Sequence, residues 1–166
     1  MTPELRRELL ADHARRPVGR VEIPSPGAWQ EAALTTPTCG DEVTIRVRVV
    51  GDSIADLEWQ GIGCEVSQAS ASMLASLVRP GTPVQAVPGL VASVQRRVHD
   101  TGDAAGDSAS ESAGDAELGD AEALAGIGRY PVRARCALLA WNALAAAVAP
   151  SAPIPPSAPR DAERAP

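Results

Sequence analysis

The chain has 166 residues, a formal net charge of −6, no lysine and no phenylalanine, and only 2% aromatic residues. That length suits a single domain with its own core, and with so few rings the core must be built from Val, Leu, Ile and Ala. Residues 100–122 hold eight acids and no base, leaving 15 arginines against 13 acids elsewhere, and a near-neutral body of this kind excludes nucleic-acid binding through a broad basic surface.

The first predicted element is a helix. Thr2 can cap it, Pro3 fits its first position, Glu4 favours its positive end, and Leu5, Leu9 and Leu10 repeat at helical spacing until Arg16-Pro17 stops it. Residues 17–38 are rich in proline and glycine and read as loop, with a short strand at Val21 to Ile23. Val43 to Val49 alternates apolar residues with Thr and Arg, as a strand with one buried face requires. Gly51-Asp52 turns the chain, and Ile54 to Gln60 returns antiparallel with one slip in the alternation. This hairpin, at about 42–60, sets the start of its first strand beside the end of its second.

Glu65 to Val78 reads as a helix rich in small residues, ended by Arg79-Pro80-Gly81. Thr82-Pro83-Val84-Gln85 reads as a capping box opening a helix that reaches about His99, with Pro88-Gly89 bending or delaying it. Residues 101–116 lack any large apolar residue and are expected to be a disordered acidic loop, a solvated linker or a docking segment. A short helix at Leu118 to Ile127 follows, then a buried helix at Pro131 to Val148. Residues 149–166 contain six prolines and read as a disordered tail. The expected fold is α+β, a small antiparallel sheet packed with several helices. The longest apolar run, Ala143 to Ala149, is too short to span a bilayer. No signal-peptide pattern opens the chain, so a cytoplasmic location without membrane contact is expected.

Cys39, Cys64 and Cys136 cannot all pair within one chain. In a reducing cytosol they are better read as metal ligands or reactive thiols. Cys39 lies in Pro37-Thr38-Cys39-Gly40-Asp41, before the first strand of the hairpin; Cys64 follows the second, so the turn brings Cys39, Asp41 and Cys64 to one end of the sheet. With Cys136, three thiolates and one carboxylate make the four ligands that tetrahedral Zn²⁺ takes; the alternative is three unrelated buried thiols. Gly61-Ile62-Gly63-Cys64 lies between strand and helix like a dinucleotide fingerprint. It follows a hairpin instead of opening a βαβ unit and lacks the third glycine, so that reading is rejected. His13 and His99 read as ordinary surface or capping histidines.

Pro37-Thr38-Cys39-Gly40-Asp41, Gly61-Ile62-Gly63-Cys64 with Ser67 to Ser72 (SQASAS), and Arg133-Ala134-Arg135-Cys136 resemble the three signature segments of the SufU branch of the IscU/NifU-like iron–sulfur assembly family. The opening Leu5 to Pro17, with Asp12-His13, and Leu118-Gly119-Asp120 through Leu124 match as well. Classical IscU scaffolds carry His immediately before the third Cys, where this chain has Arg135, and residues 79–122 provide room for the insertion typical of SufU.

The resemblance implies an IscU/SufU-like domain over residues 1–148, with zinc on Cys39, Asp41, Cys64 and Cys136. It further implies that Cys39 accepts persulfide sulfur from a SufS-type pyridoxal-phosphate cysteine desulfurase. Arg133 matches an arginine of docking or transfer, and a SufBCD-type scaffold is a candidate downstream acceptor. The alternative within the same family is a scaffold on which an iron–sulfur cluster is assembled.

Overall fold

The computed structural model describes residues 1–100 and 117–149, so the expected disordered loop at 101–116 and nearly all of the proline-rich tail lie outside the described residues. Helix α1 (Pro3–Arg15) begins as its sequence dictates, with the Leu5 N–H donating to Thr2 Oγ1 at 3.2 Å and Pro3 in the first turn. Three strands follow: β1 (Gln30–Thr35), β2 (Glu42–Val50) and β3 (Ser53–Ile62). A two-residue β4 (Thr82–Pro83) completes an antiparallel sheet of order β1-β2-β3-β4.

The predicted hairpin is present, turning at Gly51, whose φ of 64° suits a tight turn. The slip in the alternation is a bulge. The register passes from Arg48↔Asp56 to Val49↔Ile54, leaving Ala55 unpaired, so Ile54, Leu57 and Trp59 do not share a simple two-residue spacing.

Two expectations are corrected at the sheet's edges. The strand placed at Val21 to Ile23 is only an isolated parallel bridge between Arg20 and Trp59. The edge strand is β1 instead, whose Gln-Glu-Ala-Ala-Leu-Thr sequence carries little β propensity and is held in place by pairing with β2. The capping box at Thr82 does not form either. Thr82 Oγ1 donates to the Arg79 carbonyl at 2.8 Å, and Thr82-Pro83 pairs with β3. A 3₁₀ turn at Val84–Ala86 then delays helix α3 until Val87–His99, with Pro88 in its first turn.

Helix α2 (Glu65–Leu77) follows β3 directly, and α4 (Pro131–Val148) closes the described chain. Between α3 and α4 the predicted short helix is a pair of 3₁₀ turns, Gly119–Leu124 and Ile127–Arg129. Helix α4 lies against β1, β2, α2 and α3, so nearly its whole circumference is covered, as its apolar sequence predicts. Val43, Ile45, Val47, Ile54 and Trp59 of the sheet meet Met73, Leu74, Val94, Trp141 and Leu144 of the helices.

The serines of α2 are more than small residues that allow close packing. Ser70, fully buried, donates from Oγ to the Ala137 carbonyl at 2.5 Å and accepts from the Trp141 indole at 2.8 Å. Ser70→Ala should therefore leave the indole N–H without its partner and cost about 1–3 kcal/mol, read as a lower midpoint in urea unfolding at unchanged slope. His13 is likewise not a surface or capping residue. It is 8% exposed and bridges Ser72 Oγ (2.7 Å) and Asp120 Oδ2 (3.1 Å), tying α1 to α2 and to the turn before α4.

Candidate metal centre

Cys39 stands in the connection between β1 and β2. The Thr36 N–H donates to the Asp41 carbonyl and the Gly40 N–H to the Thr36 carbonyl, both at 2.8 Å, and Gly40 takes a φ of 69° that a side chain would strain. This tight loop turns Cys39 outward and Asp41 inward: the cysteine is exposed, whereas Asp41 is 3% exposed. Cys64 caps the N-terminus of α2 without a side-chain bond of its own, and its N–H donates to Asp41 Oδ1 at 3.2 Å. Gly63 permits that approach, because a Cβ there would lie 2.8 Å from Asp41 Cγ. Helix α4 brings Cys136, 2% exposed, to within 3.1 Å of Cys39, sulfur to sulfur, across 97 positions of sequence.

Ligand atoms of Cys39, Asp41 and Cys136 all lie within 4.8 Å of one another. Cys64 Sγ is not inside that limit of all three, though its thiol favours the ionised Asp41 carboxyl. The structure thus brings together the four residues singled out from sequence, three as a tight cluster and the fourth beside it. Arg133 lines the same hollow, stacked 5.1 Å from the Tyr130 ring. His13 and His99 stand elsewhere: His13 in its buried bridge, His99 in a groove with Leu34 and Leu138. Arg135 donates to Thr38 Oγ1 at 3.1 Å.

Two contributors were not legible in the sequence. Thr36 Oγ1 lies 2.9 Å from Cys39 Sγ, and Ser67 Oγ donates to the Cys64 carbonyl at 2.9 Å while approaching Asp41. Nothing in Thr35-Thr36-Pro37-Thr38 says which of three threonines reaches the sulfur.

The electrostatics separate Cys39 from Cys136. The Thr36 hydroxyl, and after it the Cys136 thiol, hold the Cys39 pKa below the ordinary thiol value. Burial pushes the Cys136 thiol up, reinforced by Cys39 and Asp41. For Asp41 burial is the largest single influence and would raise its pKa. Cys136, Cys64 and Ser67 together outweigh it, and the carboxyl is lowered.

One atom is nonetheless left over: Asp41 Oδ2 is buried with no hydrogen-bond partner. A buried orphan acceptor is costly. Here it belongs to a carboxylate clustered with thiols, and among the described residues no cationic side chain bonds to it. The donor set of three sulfurs and one carboxylate oxygen therefore fits a thiophilic divalent cation.

Residues 8–137 match the family model described as the NifU-like N terminal domain. The chain is 35% identical over 144 residues to the iron–sulfur cluster assembly scaffold protein IscU of Streptococcus pyogenes serotype M1, covering 87% of this chain and 82% of that protein. It is 30% identical over 148 residues to the zinc-dependent sulfurtransferase SufU of Bacillus subtilis, covering 87% and 90%. Among solved structures, the N-terminal part of a nitrogen-fixing NifU-like protein from Brucella abortus shares the fold, with a TM-score of 0.67 at 19% identity over 85% of this chain and 90% of that one. On the match of 8–137 and the two relatives, this chain belongs to the NifU-like N-terminal domain family, the IscU/SufU-like proteins of iron–sulfur cluster assembly.

Proposed function

We propose that this chain is a zinc-dependent sulfurtransferase that accepts persulfide sulfur from a SufS-type pyridoxal-phosphate cysteine desulfurase. The observation that carries this reading is the asymmetry of the cluster. Cys39 is exposed with a lowered pKa, while Asp41 and Cys136 behind it are buried. Cys39 and Cys64 are both open to another protein, and of the two Cys39 is the one in the tight cluster with the buried Asp41 and Cys136.

Zinc would be held by Cys39, Asp41, Cys64 and Cys136, and when bound it supplies the positive charge that keeps thiols deprotonated at neutral pH. The chain's own residues do the rest. The Cys39 thiolate attacks the outer sulfur of the donor's cysteine persulfide. A new S–S bond forms on Cys39, the donor's S–S bond breaks, and the donor cysteine leaves as a thiolate with no net oxidation. Thr36 Oγ1 supports the attacking thiolate, and the Cys64 N–H fixes the Asp41 carboxylate that faces it. Arg133, at the lip of the hollow, is assigned to docking or transfer. Residues 1–148 constitute this transfer domain, and a SufBCD-type scaffold is the candidate acceptor downstream.

A second reading, a scaffold that assembles a cluster on the same donors, is supported by the 35% identity to a protein named as a scaffold. Against it stands Arg135, where classical scaffolds carry histidine. A guanidinium has no free lone pair to offer a metal, and this one is engaged with Thr38. Elemental analysis of anaerobically purified protein separates the two. About one zinc per chain with negligible iron and sulfide is expected, and Asp41→Ala should lower the zinc content. Iron and acid-labile sulfide in equal amounts would replace the transfer reading with the scaffold; no metal at all would remove the four-donor site.

A further inference from the structure

The hollow over the thiols has two walls with arginine on them. Arg133 comes from α4, and Arg7 comes from α1 across the opening. Between them the lining is apolar, with Leu10, Val66 and Val132, and Glu65 is its one acid. Two arginines against one acid make this a cationic, greasy mouth on a body that is otherwise near neutral. Elsewhere Arg7 is engaged within the first turn of α1, where its Nε donates to the Pro3 carbonyl at 3.3 Å. Its ion pair with Glu4 spans 3.3 Å between side chains that are 75% and 71% exposed, a pairing that is easily given up.

We propose that Arg7 is a second docking residue for the sulfur donor, gripping an acidic, extended segment of the donor that carries the persulfide cysteine, from the wall opposite Arg133. The inference rests on the sulfur-transfer reading and deepens it. Charge complementarity selects the occupant: a persulfide is itself an anion near neutral pH, and a segment that lays it between two guanidinium groups must bring negative charge or leave both cations facing apolar surface. The apolar walls suit the aliphatic part of such a segment, while the thiols lie at its floor. Arg7 touches no reacting atom in this account. It positions the donor, so its loss should raise KM and leave kcat in place.

The test is alanine formation from L-cysteine by a purified SufS-type cysteine desulfurase, titrated with this protein at two salt concentrations. Arg7→Glu should raise the KM for this protein by about tenfold, with kcat within about twofold, and should flatten the salt dependence. Arg7→Lys should restore most of the KM. Arg79→Glu makes the same change in net charge at the C-terminal end of α2, about 20 Å of helix away from Cys64, and should leave KM where it was. Because the Arg7 side chain is 75% exposed, the fold should tolerate the change, and zinc content equal to wild type verifies it. If wild-type protein stimulates the desulfurase and Arg7→Glu does so with unchanged KM, or if Arg79→Glu raises KM equally, the assignment of Arg7 is overturned. If wild-type protein fails to stimulate the desulfurase at all, the sulfur-transfer reading itself falls.

Discussion

Replacing Cys39 by alanine is expected to abolish persulfide acceptance, a loss on the order of 10³-fold or more, because no other thiol in the cluster is placed to substitute. Cys136 is buried at 2% exposure, so it offers a donor protein no access. Cys64 is exposed, but its N–H is committed to Asp41 at the start of α2 and its sulfur sits beside the tight cluster instead of at its outer edge. The readout is intact-protein mass after incubation with desulfurase and cysteine. Wild type should gain one sulfur, mapped to Cys39, and Cys39→Ala should gain none. The fold should survive, since an exposed side chain on a turn contributes nothing to the core. Zinc should bind more weakly, with Asp41, Cys64 and Cys136 left as donors. A variant that still gains sulfur on Cys64 would sink the role given to Cys39.

The largest expected loss of stability lies on the opposite face of the sheet. Arg46 of β2 and Glu58 of β3 are cross-strand partners, 9% and 5% exposed, joined by a close ion pair under the 17–29 loop. Arg46 also donates to the Ser25 carbonyl at 3.2 Å and carries Trp29 on its guanidinium plane at 5.0 Å. Arg46→Met would leave Glu58 as a buried carboxylate with Ser25 as its remaining partner, costing about 3–5 kcal/mol. Arg46→Met with Glu58→Leu should recover most of that, because the pair's attraction mainly offsets its own desolvation.

The pH dependence has a definite sign. Burial alone would raise the Glu58 pKa, but the bonds from Ser25 and then Arg46 outweigh it, and the folded value lies below the ordinary 4.5. Its contribution is therefore present above the unfolded pKa and lost as pH falls through the folded one. The gap between wild type and Arg46→Met should be widest near neutral pH and narrow in acid, as urea midpoints from neutral to acidic pH would test. A gap independent of pH would mean that packing against Trp29, and not charge, sets the cost.

Much of this was legible in the chain because local pattern and tertiary need agreed. Val43 to Val49 alternates because one face meets the helices, and Thr2-Pro3-Glu4 starts a helix wherever it is found. The hairpin geometry alone set Cys39, Asp41 and Cys64 together, and the structure adds Cys136 through α4. What failed was decided by partners. β1 is a strand only because β2 offers it a ladder, and Thr82 pairs with β3 when its sequence reads as a helix cap. His13 was read as a surface residue because nothing on its own helix shows that Ser72 and Asp120 close over it. Arg46 looked like the outward half of an alternating strand; the 17–29 loop buries it.

The contact between Cys39 and Cys136 spans 97 positions, and its two halves come from the first turn of the sheet and the last helix. Bringing them together requires closing a loop that contains most of the domain, so these donors converge only after α4 has docked. An unfinished chain offers scattered thiols and no pocket. Metal affinity at the proposed site would consequently belong to the completed fold alone, and by mass action a bound ion would shift the unfolding equilibrium toward that fold. On the proposed function, loading and maturation would be one event, and a core defect far from the sulfurs would first show as a loss of bound metal.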